Sequence, residues 1–130
     1  MNRILAVVEA IEANHELHRI TLDAGGERFV VITLELGDEF SLGAEVNISF
    51  KSTHVALAKG LQGEVTISNR IEAVVVRISE NELLTEIELQ SRAGNFTSLI
   101  TTEALRRTGL REGDGVIALM KASDLYLSTV

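Results

Sequence analysis

Cysteine, proline and tryptophan are absent from the 130 residues, and only four Phe and one Tyr carry aromatic rings. Without cysteine there is no disulfide framework, no thiolate metal site and no cysteine nucleophile. A secreted chain of this size usually needs such staples, so the expected location is the cytoplasm. The shortage of aromatic rings leaves little to stack on bases or to wall a flavin or haem pocket. No apolar run approaches the roughly 18 residues of a membrane span, and the stretch Ile4–Val8 stops at Glu9 after a single basic residue, which fits no signal peptide. Cations are scarce too: 12 Lys and Arg face 19 Asp and Glu, and the net charge of −7 opposes broad contact with nucleic acid or an acidic membrane. What is present is 45% apolar and 24% charged side chains at a mean hydropathy of +0.19, the composition of a folded domain. A small-ligand binder, an interaction module or a minimal enzyme remain.

The chain repeats itself. Residues 2–22 match residues 69–89 at a constant shift of 67, with identities at 11 of 21 positions, among them Asn2/Asn69, Arg3/Arg70, Val7/Val74, Val8/Val75 and Leu22/Leu89. Further on the shift becomes 70, aligning Gly43 with Gly113, Val46 with Val116, Lys51 with Lys121 and Thr53 with Ser123. Two copies follow, 1–62 and 66–130, joined by the Gly-containing stretch around Lys59–Glu64. A unit of about 60 residues buries only about 60% of its unfolded surface, so the copies are expected to pack on each other and on further subunits.

Within each copy the dominant period is two. Thr85, Ile87 and Leu89 alternate with Leu84, Glu86 and Glu88, and Phe29–Leu34 and Val46–Phe50 are equally strand-like. Ile4, Val7, Val8 and Ile11 also fit a helical face, but the run Val74-Val75-Val76 at the matching place favours a pleated strand. One helix is predicted, Thr102–Thr108, with Thr101 or Thr102 as N-cap and Gly109 as its stop; the first copy is three residues shorter there and should have only a turn. The fold expected is all-β: two tandem OB-like five-stranded barrels, each with at most one short helix.

These residues carry a resemblance. Ser68-Asn69-Arg70 before a strand, Ile100-Thr101, the helix ending Gly109-Leu110, and the closing Met120-Lys121-Ala122-Ser123 resemble, over 67–127, the Mop (molybdopterin-binding-like, or TOBE) domain. That family's pattern opens Ser-Ala-Arg-Asn and closes Ile-Lys-Ala-Ser. Asn69 stands where Ala is usual, Ile71 where Asn is usual, and Ala104 replaces a serine that donates to the anion in family members. Through the repeat, the first copy resembles a degenerate partner, and the whole chain resembles a di-Mop protein. The resemblance implies intracellular binding of molybdate or tungstate for storage, homeostasis or transport regulation, with the oxyanion as ligand and no cofactor. It also implies sites at interfaces between copies or subunits, and hence a homo-oligomer, whether dimer, trimer or higher.

The chemistry agrees with this. Molybdate is a deprotonated tetrahedral dianion at neutral pH, so its site should hold donors only. Ser68, Asn69, Arg70, Thr101, Lys121, Ala122 and Ser123 form one candidate set, and Arg3, Lys51, Ser52 and Thr53 a second. The second set is expected to bind more weakly, since Met1 occupies the place of Ser68. Phosphate keeps a proton on part of its population, which a donor-only cavity leaves unpaired. His15, His18 and His54 are the only side chains of the type transition metals favour, and with no Cys or second cluster they read as loop histidines, not a zinc site. No nucleophile–base pair or Gly-x-Ser-x-Gly elbow is present, so no enzymatic activity is expected. Partners are the oxyanion and, through the shared domain type, components of a molybdate transporter; neither nucleic acid nor membrane is expected. The alternative is an OB-type accessory module that docks on an oxyanion transporter's ATPase without binding a ligand.

Overall fold

Ten strands and one α-helix make up the computed structural model, which describes all of residues 1–130. The first copy forms β1 (Asn2–Asn14), β2 (Leu17–Ala24), β3 (Glu27–Thr33), β4 (Glu45–Phe50) and β5 (Ala56–Ala58). The second forms β6 (Asn69–Glu80), β7 (Leu84–Ser91), β8 (Gly94–Thr101), α1 (Thr102–Thr108), β9 (Gly115–Met120) and β10 (Tyr126–Thr129). The ambiguous opening segment is a strand in both copies: Asn2, Ile4, Ala6 and Val8 are buried while Arg3, Leu5, Val7 and Glu9 face out. Burial thus follows the period of two that a pleated strand imposes.

Each long strand breaks register at one place, between Val8 and Ala10 in β1 and between Val75 and Arg77 in β6. On its other side each strand continues its pairing into the turn that precedes β4 or β9. Val8 N–H donates to Ala44 O (3.0 Å) and Val8 O accepts from Gly43 N–H (2.8 Å), and Val75 repeats this with Asp114 and Gly113 (2.9 and 2.7 Å). Such a bulge bends the strand and curls the sheet toward closure.

The two sheets run β10-β4-β1-β2-β3 and β5-β9-β6-β7-β8, all antiparallel. The sequence repeat divides the chain between 62 and 66, but the sheets cross that line. β5, from the first copy, pairs with β9; β10, from the second, pairs with β4. Each barrel therefore receives its last strand from the other half, around an approximate two-fold axis. One apolar core runs through both barrels, and Phe50 of β4 meets Phe96 of β8 edge to face, with centroids 5.6 Å apart at 70°.

The axis also brings equivalent residues together. His54 Nδ1 lies 3.9 Å from Asp124 Oδ1, two residues related by the shift of 70. Gly25, in the β2–β3 turn at φ +59°, packs against the Arg92 carbonyl of the equivalent β7–β8 turn. Arg92 Nε in turn bonds Glu27 Oε1 at 3.0 Å. A Cβ at position 25 would strike that carbonyl as well as strain a left-handed backbone. Gly25→Ala is accordingly expected to cost about 2 kcal/mol or more, read as a lower urea midpoint at unchanged slope.

The segment between the copies is tied to the second barrel. Lys59 Nζ reaches Asp114 Oδ2 at 3.1 Å and Gly109 O at 3.3 Å. Asp114 also accepts the backbone N–H of Arg111 at 2.9 Å. That backbone bond first, and Lys59 next, hold its carboxyl below the usual carboxylate range. A lowered folded-state pKa contributes stability that is present above the unfolded value and lost as pH falls through the folded one. Acid denaturation of Asp114→Asn should therefore be less steep below about pH 4, the ordinary carboxylate range, than that of the parent.

Candidate functional site

The two ends of the resemblance motif meet at the seam between barrels, and the asparagine that opens each copy creates that seam. β3 and β8 are edge strands, with backbone groups open to a partner. Asn69, fully buried, gives its amide to Val30 of β3: its Oδ1 accepts Val30 N–H at 2.7 Å and its Nδ2 donates to Val30 O at 2.9 Å. Asn2 does the same to Thr97 of β8, at 2.9 and 2.8 Å. Val30 and Thr97 are related by the same shift of 67. One side-chain amide thus completes a peptide pairing between halves at each of two equivalent places.

This corrects the expectation for Asn69. Both ends of its side-chain amide bond Val30 and the side chain is fully buried, which keeps the second Nδ2 hydrogen out of a ligand's reach. Its neighbours Ser68 and Arg70 are exposed and line a cleft of about 380 Å³ with Arg19, Glu27, Arg28 and Val30. Two of these charges are already paired: Arg19 with Glu12 (3.3 Å) and Glu27 with Arg92 (3.0 Å). Ser68, Arg28 and Arg70 are free.

The equivalent cleft of the other seam, about 240 Å³, contains Met1, Arg3, Glu88, Asn95 and Thr97. Ser52, expected as a ligand, instead bonds Thr97 Oγ1 at 2.7 Å, and that hydroxyl donates to Asn2 Oδ1 at 3.1 Å. Thr53 is exposed beside it. At the first seam, Ala122 and Val30 occupy the places of Ser52 and Thr97, so no such chain of hydroxyls forms there.

Lys51 and Lys121 each precede a single 3-10 turn, Ser52–His54 and Ala122–Asp124, and both are exposed. The two turns pack against the β8 and β3 edges respectively; the pairings Asn69–Met120 and Asn2–Phe50 bring Lys121 near Arg70 and Lys51 near Arg3, whereas exposed Ser123 lines a different cleft, with Ile32, Leu36 and Tyr126. Thr101 stands apart. Its hydroxyl caps α1 by accepting Ala104 N–H at 3.1 Å. Strand register carries Thr101 through Leu84 to the Glu80 end of β6, whereas Arg70 is at the other end, opposite Leu119.

Charge pairing separates the cations further. Arg19, Lys59, Arg77, Arg92, Arg106 and Arg107 each have a carboxylate within ion-pair distance. Arg3, Arg28, Lys51, Arg70, Arg111 and Lys121 do not. In a chain with 19 acids, all four cations named by the motif are left without one. Arg28 and Thr97 escaped the sequence reading because the copies differ there, Arg28 against Asn95 and Val30 against Thr97, and a search for shared residues passes over both. A cavity of about 710 Å³ presents the carboxylates of Glu27 and Glu72 and only the paired cation Arg92, a poor setting for an anion. No group of three His, Asp or Glu side chains converges as a metal site would require, and no helix is long and apolar enough to cross a membrane.

Two five-stranded OB-like barrels with exchanged last strands, and unpaired cations along their seams, define the class. Residues 66–127 match the family model of the TOBE domain. Along its whole length the chain is similar to the cytoplasmic molybdate-binding protein ModG, in a crystal form with molybdate bound: TM-score 0.87, 23% identity, with 99% of this chain and 96% of that one covered. The two share the fold. A shorter similarity, to MopII from Clostridium pasteurianum, covers 51% of this chain and 100% of that one at 21% identity and TM-score 0.48. By sequence, no curated protein matches the chain.

Proposed function

We propose that this protein binds molybdate or tungstate, and that it does so as a storage or homeostasis protein, not as an enzyme. The observation that carries the reading is that Arg3, Lys51, Arg70 and Lys121 are all free of carboxylates in a chain of net charge −7. An unpaired guanidinium or ammonium in an acidic protein is a local attractor for a small dianion, even where the mean field is repulsive. The hydroxyls of Ser68 and Thr53, which make no hydrogen bond within the chain, supply further donors. The whole-length likeness to the molybdate-binding ModG supports the same ligand.

The site is completed by other copies of the chain. Arg3 lies on the outward face of β1 beside Leu5 and Val7, and Arg70 on that of β6 in line with Val74 and Val76; these four apolar residues are 38–51% exposed. Apolar side chains lined up on an outer strand face mark an interaction surface, and subunits packed there would shield the arginines from water. Calorimetric titration of the dialysed protein with molybdate, against excess sulfate and phosphate, tests the reading. Saturable binding that neither competitor displaces supports it. Absence of heat and of thermal stabilisation at millimolar molybdate overturns it.

A further inference from the structure

We infer that Arg28, a residue outside both motifs, is an anion ligand, and that with Ser68 and Arg70 it forms one oxyanion site per chain at one seam only. The inference rests on the oxyanion reading above and assigns a residue to it. The Asn69 clasp fixes the geometry. It locks β6 to the β3 edge at Val30. Arg28 lies two residues before Val30, so its side chain leaves the strand on the same face, and it lines the same cleft as Ser68 and Arg70. Its cross-strand neighbour is Asp23, yet the two form no ion pair. Arg28 therefore reaches the cleft with its charge unspent.

Two unpaired guanidinium groups match the two charges of a tetrahedral oxyanion, and the Ser68 hydroxyl adds a neutral donor. The acid in the cleft, Glu27, is held by Arg92 at 3.0 Å, and the third arginine, Arg19, is held by Glu12. At the other seam the donors are fewer. Asn95 replaces Arg28, Met1 replaces Ser68, and the Thr97 hydroxyl is engaged by Ser52 and Asn2, while the acid in the cleft, Glu88, is held by Arg77 at 3.7 Å. Arg3 is the one arginine lining that cleft. The repeat built two seams, and the differences at Arg28 and Ser68 make them unequal.

The test titrates the full-length parent, Arg28→Asn and Arg111→Ala with molybdate and, separately, with sulfate. Arg28→Asn copies the residue of the other seam at an exposed position, so its unliganded melting temperature should match the parent. Loss of one charge-assisted hydrogen bond predicts binding about 10- to 100-fold weaker, or one anion fewer per chain. Arg111→Ala removes an equally unpaired cation outside the cleft and should bind as the parent does, which separates a contact from a change in net charge. Arg28→Asn binding like the parent, or Arg111→Ala losing as much, overturns the inference while leaving the molybdate reading intact. A parent that binds sulfate but not molybdate, with the loss still confined to Arg28→Asn, upholds the site and overturns that reading. A parent that binds neither anion overturns both.

Discussion

Asn69→Ala is expected to lower the free energy of unfolding by about 2–4 kcal/mol, the largest effect of any single polar substitution in this chain. Two hydrogen bonds of about 1 kcal/mol each disappear, and the N–H and C=O of Val30 are left facing a void instead of an amide. The side chain is fully buried, so water has no ready route to replace it. Equilibrium urea denaturation should show a lower midpoint for the variant. Asn2→Ala should cost less: its site is 8% exposed and Thr97 retains its hydroxyl bond to Ser52. Equal, small losses from both variants would mean that the clasps do not hold the barrels together.

Removal of both motif cations of the second copy, Arg70→Ala with Lys121→Ala, should weaken molybdate binding by at least about 100-fold. Each charge-assisted hydrogen bond contributes about 1.5–3 kcal/mol and each tenfold in affinity is about 1.4 kcal/mol, so two such bonds suffice. Both residues are exposed, so the fold should survive the change. The matching pair, Arg3→Ala with Lys51→Ala, should have a smaller effect, because hydroxyls at that seam are already bonded to each other. Titration calorimetry on the two double variants reads this directly. If the first double variant binds molybdate as the parent does, the anion lies elsewhere.

The repeat made the strands legible, because burial with period two leaves its mark on every strand, and the Val74–Val76 run resolved the one strand that could also be read as a helix. Thr101 and Gly109 marked the ends of the only α-helix for equally local reasons. Which strand pairs with which was not legible. A hydrophobic pattern tells a strand that one face is buried, but β5 and β10 would bury the same side chains in either barrel. The role of Asn69 was hidden in a different way: its partner is the peptide of Val30, and a peptide has no identity in the sequence. Arg28 looked like any exposed strand residue until the clasp set it beside Arg70.

The exchange of last strands also governs the order in which the molecule can be made. β4 is laid down early, but the strand that covers its edge, β10, is drawn from residues 126–129. A ribosome therefore releases most of the second half before the first barrel can close. Until then the nascent chain presents an unprotected strand edge, a template for pairing with a neighbouring nascent chain on the same message. The first barrel is therefore expected to seal only once residues 126–129 have emerged, and slowing translation in the first half should give no folded intermediate.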